Sequence, residues 1–239
     1  MPEGGVALLS HDDILSFEEI LEVTRTAVQM GMDKVRLTGG EPLVRRGIVT
    51  LTSMVAGVPG VRDCAMTTNG LLLAEFARPL FEAGLHRVNV SLDTLDPARY
   101  TDITRGGDLA RVLAGIDAAE AAGLTPVKLN CVVEESSSEP DARQVAEFAA
   151  KRGLKARFIR RMDPVAGQFW PVEGGTGGDC PRCNRLRLTS NGMIVPCLFS
   201  DLAFSVRELG AREAITRAVE AKPEAGTTSR NNTFCRIGG

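Results

Sequence analysis

The chain has 239 residues, of which 44% are apolar and 24% are charged, and these are the proportions of an ordinary globular protein with a buried core. Its 28 basic and 30 acidic residues leave a formal charge of −2, which argues against general binding to nucleic acid or to a membrane surface. No apolar run approaches the ~20 residues of a membrane span, and the start, MPEGGVALLSHDD, lacks the features of a signal peptide, so we expect a cytoplasmic protein.

Helix-like and strand-like segments alternate over the first two-thirds of the chain. Ser16 and Glu19 form a predicted capping box that opens an amphipathic helix closing near Gly31. Further helices are predicted from Asp96, from Asp108 to Gly123 and over 141–152. The predicted strands are KVRLT (34–38), VRDCAMT (61–67), HRVNVS (86–91), VKLNCVV (127–133) and KARFI (155–159).

Five strands that alternate with helices predict an α/β fold with a parallel sheet. Ligand sites in such sheets lie at the carboxyl ends of the strands. These ends are polar at 38–41, 67–70 and 91–93, with glycine in the first two, so we expect a site there, together with the residues after Ile159. From about 164 the chain is rich in Gly and Pro, and a short helix near 205–221 precedes a polar tail.

Three cysteines in the stretch CPRCNRLRLTSNGMIVPC (180–197) have the spacing of a metal site. Cys180 and Cys183 lie on a tight turn, and TSNG is typical of a turn between two short strands that returns Cys197 to the first pair. A zinc ion would need a fourth ligand, whereas an iron–sulfur cluster on three cysteines leaves one iron open. The sequence offers as fourth ligands Cys235, His11, His86 or one of several acids.

Basic residues lie at unusual places along the strands. Arg36 and Lys128 lie within predicted strands, and Arg185 and Arg187 alternate beside the cysteine turn. A further group, consisting of Arg157, Arg160 and Arg161, flanks the end of the last strand. Guanidinium groups bind phosphate through paired hydrogen bonds, so several arginines near one cleft predict an anionic ligand such as a polyphosphate.

The remaining motifs are weaker when each is taken alone. GGEP and TTNG are as typical of plain turns as of ligand sites. Cys64 and Cys131 lie in apolar strand patterns and are predicted to be core residues.

Taken in order, these motifs resemble the GTP 3′,8-cyclase family of radical S-adenosylmethionine (SAM) enzymes. The matching stretches are KVRLTGGEPLVRR, TTNG, VNVSLDTLD, VKLNCVV, RFIRRM, CPRCNRLRLTSNGMIVPCLF and RIGG. The resemblance implies an incomplete (β/α)6 partial TIM barrel over 1–163. It also implies a C-terminal region, 164–239, that carries an auxiliary iron–sulfur cluster motif and a Gly-Gly tail.

The resemblance implies a lyase reaction of molybdenum cofactor biosynthesis. The family converts GTP, with SAM, to (8S)-3′,8-cyclo-7,8-dihydroguanosine 5′-triphosphate through a 5′-deoxyadenosyl radical that takes hydrogen from C3′. One [4Fe–4S] cluster, on a CxxxCxxC loop, binds SAM, and an auxiliary [4Fe–4S] cluster on three cysteines binds guanine at its open iron. The implied partners are GTP, an electron donor and the next enzyme of the molybdopterin pathway.

The family's binding residues map onto this sequence motif by motif, although no catalytic side chain is assigned. The residues implied to contact GTP are Arg36, Thr67, Lys128, Arg185, Leu186 and Arg187. Those implied to contact SAM are Gly40, Ser91 and Met162. Those implied to hold the auxiliary cluster are Cys180, Cys183 and Cys197, and Gly238 and Gly239 resemble a tail that reaches into the site.

The sequence departs from the family pattern at three places. It contains no CxxxCxxC motif, because Met1 falls just after the family's third cysteine. The segment between Met162 and Cys180 is short, and Arg160 replaces a usual glutamate. We therefore interpret Met1 as an internal methionine of a truncated or wrongly started copy.

Two further expectations follow from these departures. The alternative function is a non-catalytic homologue that keeps only the auxiliary cluster or a zinc site and binds a guanine nucleotide. A barrel without its first strand also has an unpaired edge, which favours a homodimer.

Overall fold

A parallel sheet of five strands, in the order β1-β2-β3-β4-β5, forms the centre of the protein. The computed structural model describes Ser10 and residues 12–230. The strands of this sheet are β1 (Lys34–Leu37), β2 (Asp63–Thr68), β3 (Arg87–Ser91), β4 (Lys128–Val133) and β5 (Lys155–Arg160). The helices are α1 (Phe17–Gln29), α2 (Ile48–Ala56), α3 (Leu73–Glu82), α4 (Pro97–Thr104), α5 (Leu109–Ala122), α6 (Pro140–Lys151), α7 (Val206–Leu209) and α8 (Ala211–Glu220).

All five predicted strands are confirmed, and so are the helix-start signals. The Ser16 hydroxyl accepts from the Glu19 N–H at 3.1 Å, and the Glu19 carboxylate accepts from the Ser16 N–H at 2.7 Å, which is the predicted capping box. Asp108 caps α5, and Gly123 ends it in the left-handed conformation. The residues Met1, His11, Cys235, Gly238 and Gly239, about which the sequence made predictions, lie outside the described part of the chain.

The predicted helix near 205–221 is two helices. Gly210 separates α7 from α8 with φ +77°, a conformation that breaks the helical path and that glycine adopts without strain. The residues just before α7 form a short strand, β8 (Phe204–Ser205), which the sequence analysis did not predict.

The two faces of the parallel sheet differ in polarity. One face packs against the helices in the main core. Its strand residues include Cys64, Met66, Val88, Val90, Leu129, Cys131 and Phe158. The alternate residues point to the other side, which we call the inner face, because successive side chains of a strand point to opposite faces. On the inner face lie Arg36, Asp63, Thr67, Arg87, Asn89, Ser91, Lys128, Asn130, Lys155 and Arg157.

A smaller antiparallel sheet carries the cysteine stretch. It consists of β6 (Arg187–Leu188), β7 (Met193–Val195) and β8. Its apolar side chains join a second core with α1 and α8. The members of this core include Leu15, Val23, Ile194, Ala214, Ile215 and Ala218. The cysteine hairpin is therefore held between elements from the two ends of the described chain.

The segment after β5 folds back along that strand. Phe158 and Glu173 exchange two backbone hydrogen bonds, at 3.0 and 3.1 Å, in an antiparallel bridge. This bridge occupies part of the β5 edge, where a complete barrel would add another parallel strand. Among the residues described, the barrel is thus incomplete, with five parallel strands. None of the described helices has the length and apolar character needed to cross a lipid bilayer.

Candidate functional site

Basic side chains from three strands gather on the inner face of the sheet. Arg36, Lys128 and Arg157 belong to β1, β4 and β5, and the hairpin adds Arg185 and Arg187. None of these five forms an ion pair with a carboxylate within the described residues. A cluster of cations without acidic partners favours an anionic ligand that would neutralise it.

These basic groups lie close enough together to lower one another's pKa. The Arg36 side chain is exposed, but the surrounding protein restricts its hydration. This desolvation, followed by the positive charges of Arg185 and Arg187, lowers the pKa of Arg36 to about 10. Burial and the charge of Arg157 lower the pKa of Lys128 to about 8. Burial, followed by the charge of Arg87, also lowers the pKa of Arg157.

Polar groups fill the spaces between these cations. Arg87 is neutralised by Asp63, with nitrogen–oxygen distances of 3.0 and 2.6 Å. The Asn89 amide donates to the Thr67 hydroxyl oxygen at 3.1 Å, which leaves the Thr67 O–H directed elsewhere as a donor. The amide oxygens of Asn89 and Asn130 are buried and have no hydrogen-bond partner among the described residues. Such unsatisfied acceptors on the inner face favour a polar ligand.

A carboxylate joins two of the predicted strand-end motifs. Glu41, in the sequence GGEP, accepts from the Thr68 hydroxyl at 2.8 Å and from the Asn69 N–H at 2.7 Å. GGEP and TTNG, each ambiguous in the sequence, are thus two halves of one strand-end structure. Gly40 follows β1 and Ser91 ends β3, so both lie at the carboxyl edge of the sheet as expected.

The cysteine stretch forms the predicted hairpin. Cys180 opens a 3-10 turn, and the Cys183 N–H donates to the Cys180 carbonyl at 3.0 Å. β6 and β7 pair with Arg187 opposite Val195. If this register is continued, Cys197 lies opposite Arg185, two residues from Cys183. The three thiols therefore belong to the open end of one hairpin.

The thiols of the hairpin and of the core differ in chemistry. Burial alone would raise the pKa of Cys183, but the Arg185 N–H and the nearby cations, led by Lys222, outweigh it and lower the pKa. Burial raises the pKa of Cys64 to about 11 and that of Cys131 to about 12, so these two stay protonated in the core. Within the described residues, Cys64, Cys131, Cys180 and Cys183 are free thiols.

Within the described residues, no three His, Cys, Asp or Glu side chains converge as the ligands of a single metal ion would. Zinc holds its thiolates at about 2.3 Å from one point. A [4Fe–4S] cluster instead binds each thiolate at a different iron, and its charge suits the cations around this hairpin. His86 lies at the amino end of β3, where its Nδ1 accepts from the Cys64 N–H at 3.0 Å. Three cysteine thiols with cations around them are a donor set that an iron–sulfur cluster can use.

Two of the predicted contact residues are placed by apolar packing. Met162 packs with Phe169, Cys197 and Phe199 in a small cluster, so the predicted SAM contact lies beside a predicted cluster ligand. The Leu186 side chain packs in the second core, on the opposite side from Arg185 and Arg187, so only its backbone faces the cleft.

Two of the arginines grouped with the anion site do not belong to it. Arg160 lies on the helix-side face, where its guanidinium stacks 4.0 Å from the Trp170 ring. Arg161 pairs with Glu134 at an exposed position. Strand alternation is the reason, because Arg157 and Arg160 are three positions apart, an odd step, and so point to opposite faces. The same alternation places Arg157, which the sequence predicted only as one of that group of three, on the inner face with the other cations.

Comparison with known proteins gives the family. The description "Radical SAM superfamily" matches residues 7–149. A GTP 3′,8-cyclase of Thermodesulfovibrio yellowstonii is 38% identical over 279 residues, which cover 94% of this chain and 86% of the relative. A GTP 3′,8-cyclase of Pelotomaculum thermopropionicum is 40% identical, with the same coverage of both chains.

A solved structure shares the fold. It is titled "Native anSMEcpe with bound AdoMet" and superposes with a TM-score of 0.53 at 16% identity, covering 69% of this chain and 47% of the other. The fold, the order of the motifs and the similarity to relatives along nearly the whole sequence agree. The chain belongs to the radical SAM superfamily and, within it, to the GTP 3′,8-cyclase family.

Proposed function

We propose that this protein acts in the conversion of GTP, with SAM, to (8S)-3′,8-cyclo-7,8-dihydroguanosine 5′-triphosphate, a step of molybdenum cofactor biosynthesis. The observation that carries the proposal is a set of five basic side chains, on the inner face and on the neighbouring hairpin with its three thiols, that have no acidic partner within the described residues. The names of the relatives supply the substrate.

The triphosphate is the part of the substrate that the cations bind. Arg36, Arg185 and Arg187 offer charge-assisted hydrogen bonds, and Lys128 adds an ammonium group. Thr67 donates its hydroxyl, because the Asn89 amide occupies its acceptor side. Leu186 contributes through its backbone, since its partly buried side chain packs against the second core.

The thiols of Cys180, Cys183 and Cys197 hold an auxiliary [4Fe–4S] cluster in this proposal. Three protein ligands leave one iron for the guanine, and the surrounding cations offset the negative charge of the thiolates. Arg187 lies beside these thiols, so in this proposal neighbouring residues bind the base and the triphosphate.

SAM contacts the carboxyl edge of the sheet at Gly40 and Ser91 and meets Met162 after β5. In the family's reaction, a second [4Fe–4S] cluster and an electron donor would be needed to generate the radical from SAM. The CxxxCxxC ligands of that cluster are not among the 239 residues.

The remaining partners and the domain division are also proposals. The product passes to the next enzyme of the molybdopterin pathway. Among the described strands, β1 pairs only with β2, and its second edge offers a contact for a homodimer. We place the boundary between the partial barrel and the cysteine region at residues 163 and 164.

The first test is the metal content of the protein after anaerobic reconstitution. We expect about four irons and four sulfides per chain, as a [4Fe–4S] cluster requires, and a change in the cluster spectrum when GTP is added. Cys183→Ser should abolish the cluster, and Cys64→Ser, which alters a core thiol, is the matched control. One zinc and no iron per chain would contradict the cluster assignment.

The second test is turnover under anaerobic, reducing conditions with GTP and SAM. Formation of 5′-deoxyadenosine together with the cyclic triphosphate is the expected result. Nucleotide binding without either product would instead support the non-catalytic alternative.

A further inference from the structure

A lysine from outside the cysteine stretch joins the two arms of the hairpin. The Lys222 ammonium donates to the carbonyl of Arg185 and to the carbonyl of Pro196, both at 2.7 Å. Arg185 follows Cys183 by two residues, and Pro196 directly precedes Cys197. Lys222 therefore contacts both chain segments that carry the thiols.

The Lys222 ammonium joins the two arms of the hairpin beyond the last backbone hydrogen bonds between them. The last ladder pair of the hairpin is Arg187 with Val195. The described ladder ends at this pair, and Pro196, which has no N–H, cannot donate a further backbone hydrogen bond. The half-buried Lys222 side chain satisfies one carbonyl from each arm at that point and fixes their separation.

The charge of Lys222 has no acidic partner in the described part of the chain. Within the described residues no carboxylate oxygen lies within 4.0 Å of its ammonium. An ammonium has three donors, and the two carbonyls use two of them. Its backbone is fixed at the end of α8, where its N–H donates to Val219 at 3.2 Å. A fixed positive charge and one spare donor thus lie beside the thiols.

We propose that Lys222 is a positioning residue for the cysteine hairpin and that its charge raises the reduction potential of the auxiliary cluster, an inference that rests on the cluster assignment above. Partners of this kind, which hold the ligands and not the metal, typically contribute 10–100-fold to metal affinity. Each added electron makes the cluster more negative, so a nearby cation stabilises the reduced form.

The test compares variants that keep or remove the charge. Lys222→Arg keeps it, Lys222→Met removes it at similar length, and Lys151→Met removes an exposed lysine on α6 as the matched control. Each reconstituted protein is challenged with an iron chelator to measure the rate of cluster loss. Its reduction potential is measured by titration followed by electron paramagnetic resonance.

For Lys222→Met we expect cluster loss at least tenfold faster than in the parent. We also expect roughly a tenfold lower ratio of reduced to oxidised cluster at a fixed potential, the effect of a unit charge on the order of 10 Å away. This change corresponds to ~59 mV for a one-electron couple. Lys222→Arg and Lys151→Met should match the parent in potential. If Lys222→Met retains too little cluster, Lys222→Gln supplies a neutral variant that keeps donor groups.

The outcomes separate the two proposals. A parent protein that takes up no iron would overturn the cluster assignment and this inference with it. A parent that holds the cluster, with an unchanged potential in every neutral variant, would overturn the electrostatic role alone. Unchanged rates of cluster loss would overturn the positioning role.

Discussion

The ionisation of Lys128 should make nucleotide affinity depend on pH, and the direction of that dependence follows from its pKa. Its pKa of about 8 lies below the ordinary 10.5, because burial and neighbouring cations disfavour the charged form. An anionic ligand favours that form, so nucleotide affinity should fall as pH rises above about 8, by up to about tenfold per unit. Calorimetric titration with GTP between pH 7 and 9 measures this. Lys128→Met should remove the dependence, and an equal slope in both proteins would refute it.

The folding stability of the protein without nucleotide should rise with pH where the nucleotide affinity falls. Between pH 8 and 10.5 the unfolded chain holds the Lys128 proton more tightly than the folded chain does, so this group makes the fold more stable as pH rises through that window. The site cations thus disfavour the empty fold and favour the occupied one.

Arg36 and Arg160 form a matched pair of strand arginines on opposite faces. Arg36→Met should weaken GTP binding by roughly 10–100-fold, the loss of a charge-assisted hydrogen bond. The same substitution should raise the Tm, because it relieves repulsion from Arg185 and Arg187. Arg160→Met should leave affinity within about twofold, since its side chain stacks on Trp170 away from the inner face. Similar losses of affinity in both variants would contradict the assignment of faces.

At the scale of elements, Glu41 ties the end of β1 to the end of β2. It accepts three hydrogen bonds, from the Leu43 N–H, the Thr68 hydroxyl and the Asn69 N–H. Glu41→Ala should lower the free energy of unfolding by about 2–4 kcal/mol, because bonds to a charged acceptor are lost together.

Denaturation in urea measures this change. Glu75→Ala is the control, because among the described residues the Glu75 carboxylate takes part only in an exposed ion pair with Arg111, at a nitrogen–oxygen distance of 3.6 Å. This pair should contribute less than about 1 kcal/mol to the free energy of unfolding. Equal losses in the two variants would show that Glu41 does not join the motifs.

For the whole molecule, the second core links the cysteine hairpin to α1 and α8. Ile215 is 1% exposed in this core, and its replacement by alanine should cost about 2–5 kcal/mol of unfolding free energy. The protein should also retain less iron, because the hairpin and Lys222 both depend on that packing. Val219→Ala, on the exposed side of the same helix, should change stability by less than about 0.5 kcal/mol. Full iron retention in Ile215→Ala would show that cluster binding does not depend on packing in the second core.

Much of the fold could be predicted from local patterns. The five strands were predictable because their apolar runs end at polar residues, and α1 because its capping box is a local interaction. The TSNG turn was predictable because its residues favour turns by themselves, and Gly192 takes the positive φ of +84°. The helix near 205–221 was predicted as one element because its break depends on the conformation of Gly210 alone.

The sequence by itself determined the family, the order of the strands and motifs along the chain, and the identity of the thiols and cations. Only the tertiary structure decided which residues share a space. It placed Arg157 on the inner face and Arg160 on the other, joined Glu41 to TTNG and brought Lys222 to the cysteine hairpin. The physical reason is that hydrogen bonds and charges act over a few ångströms in space, whereas these partners are separated by 26 to 37 residues along the chain.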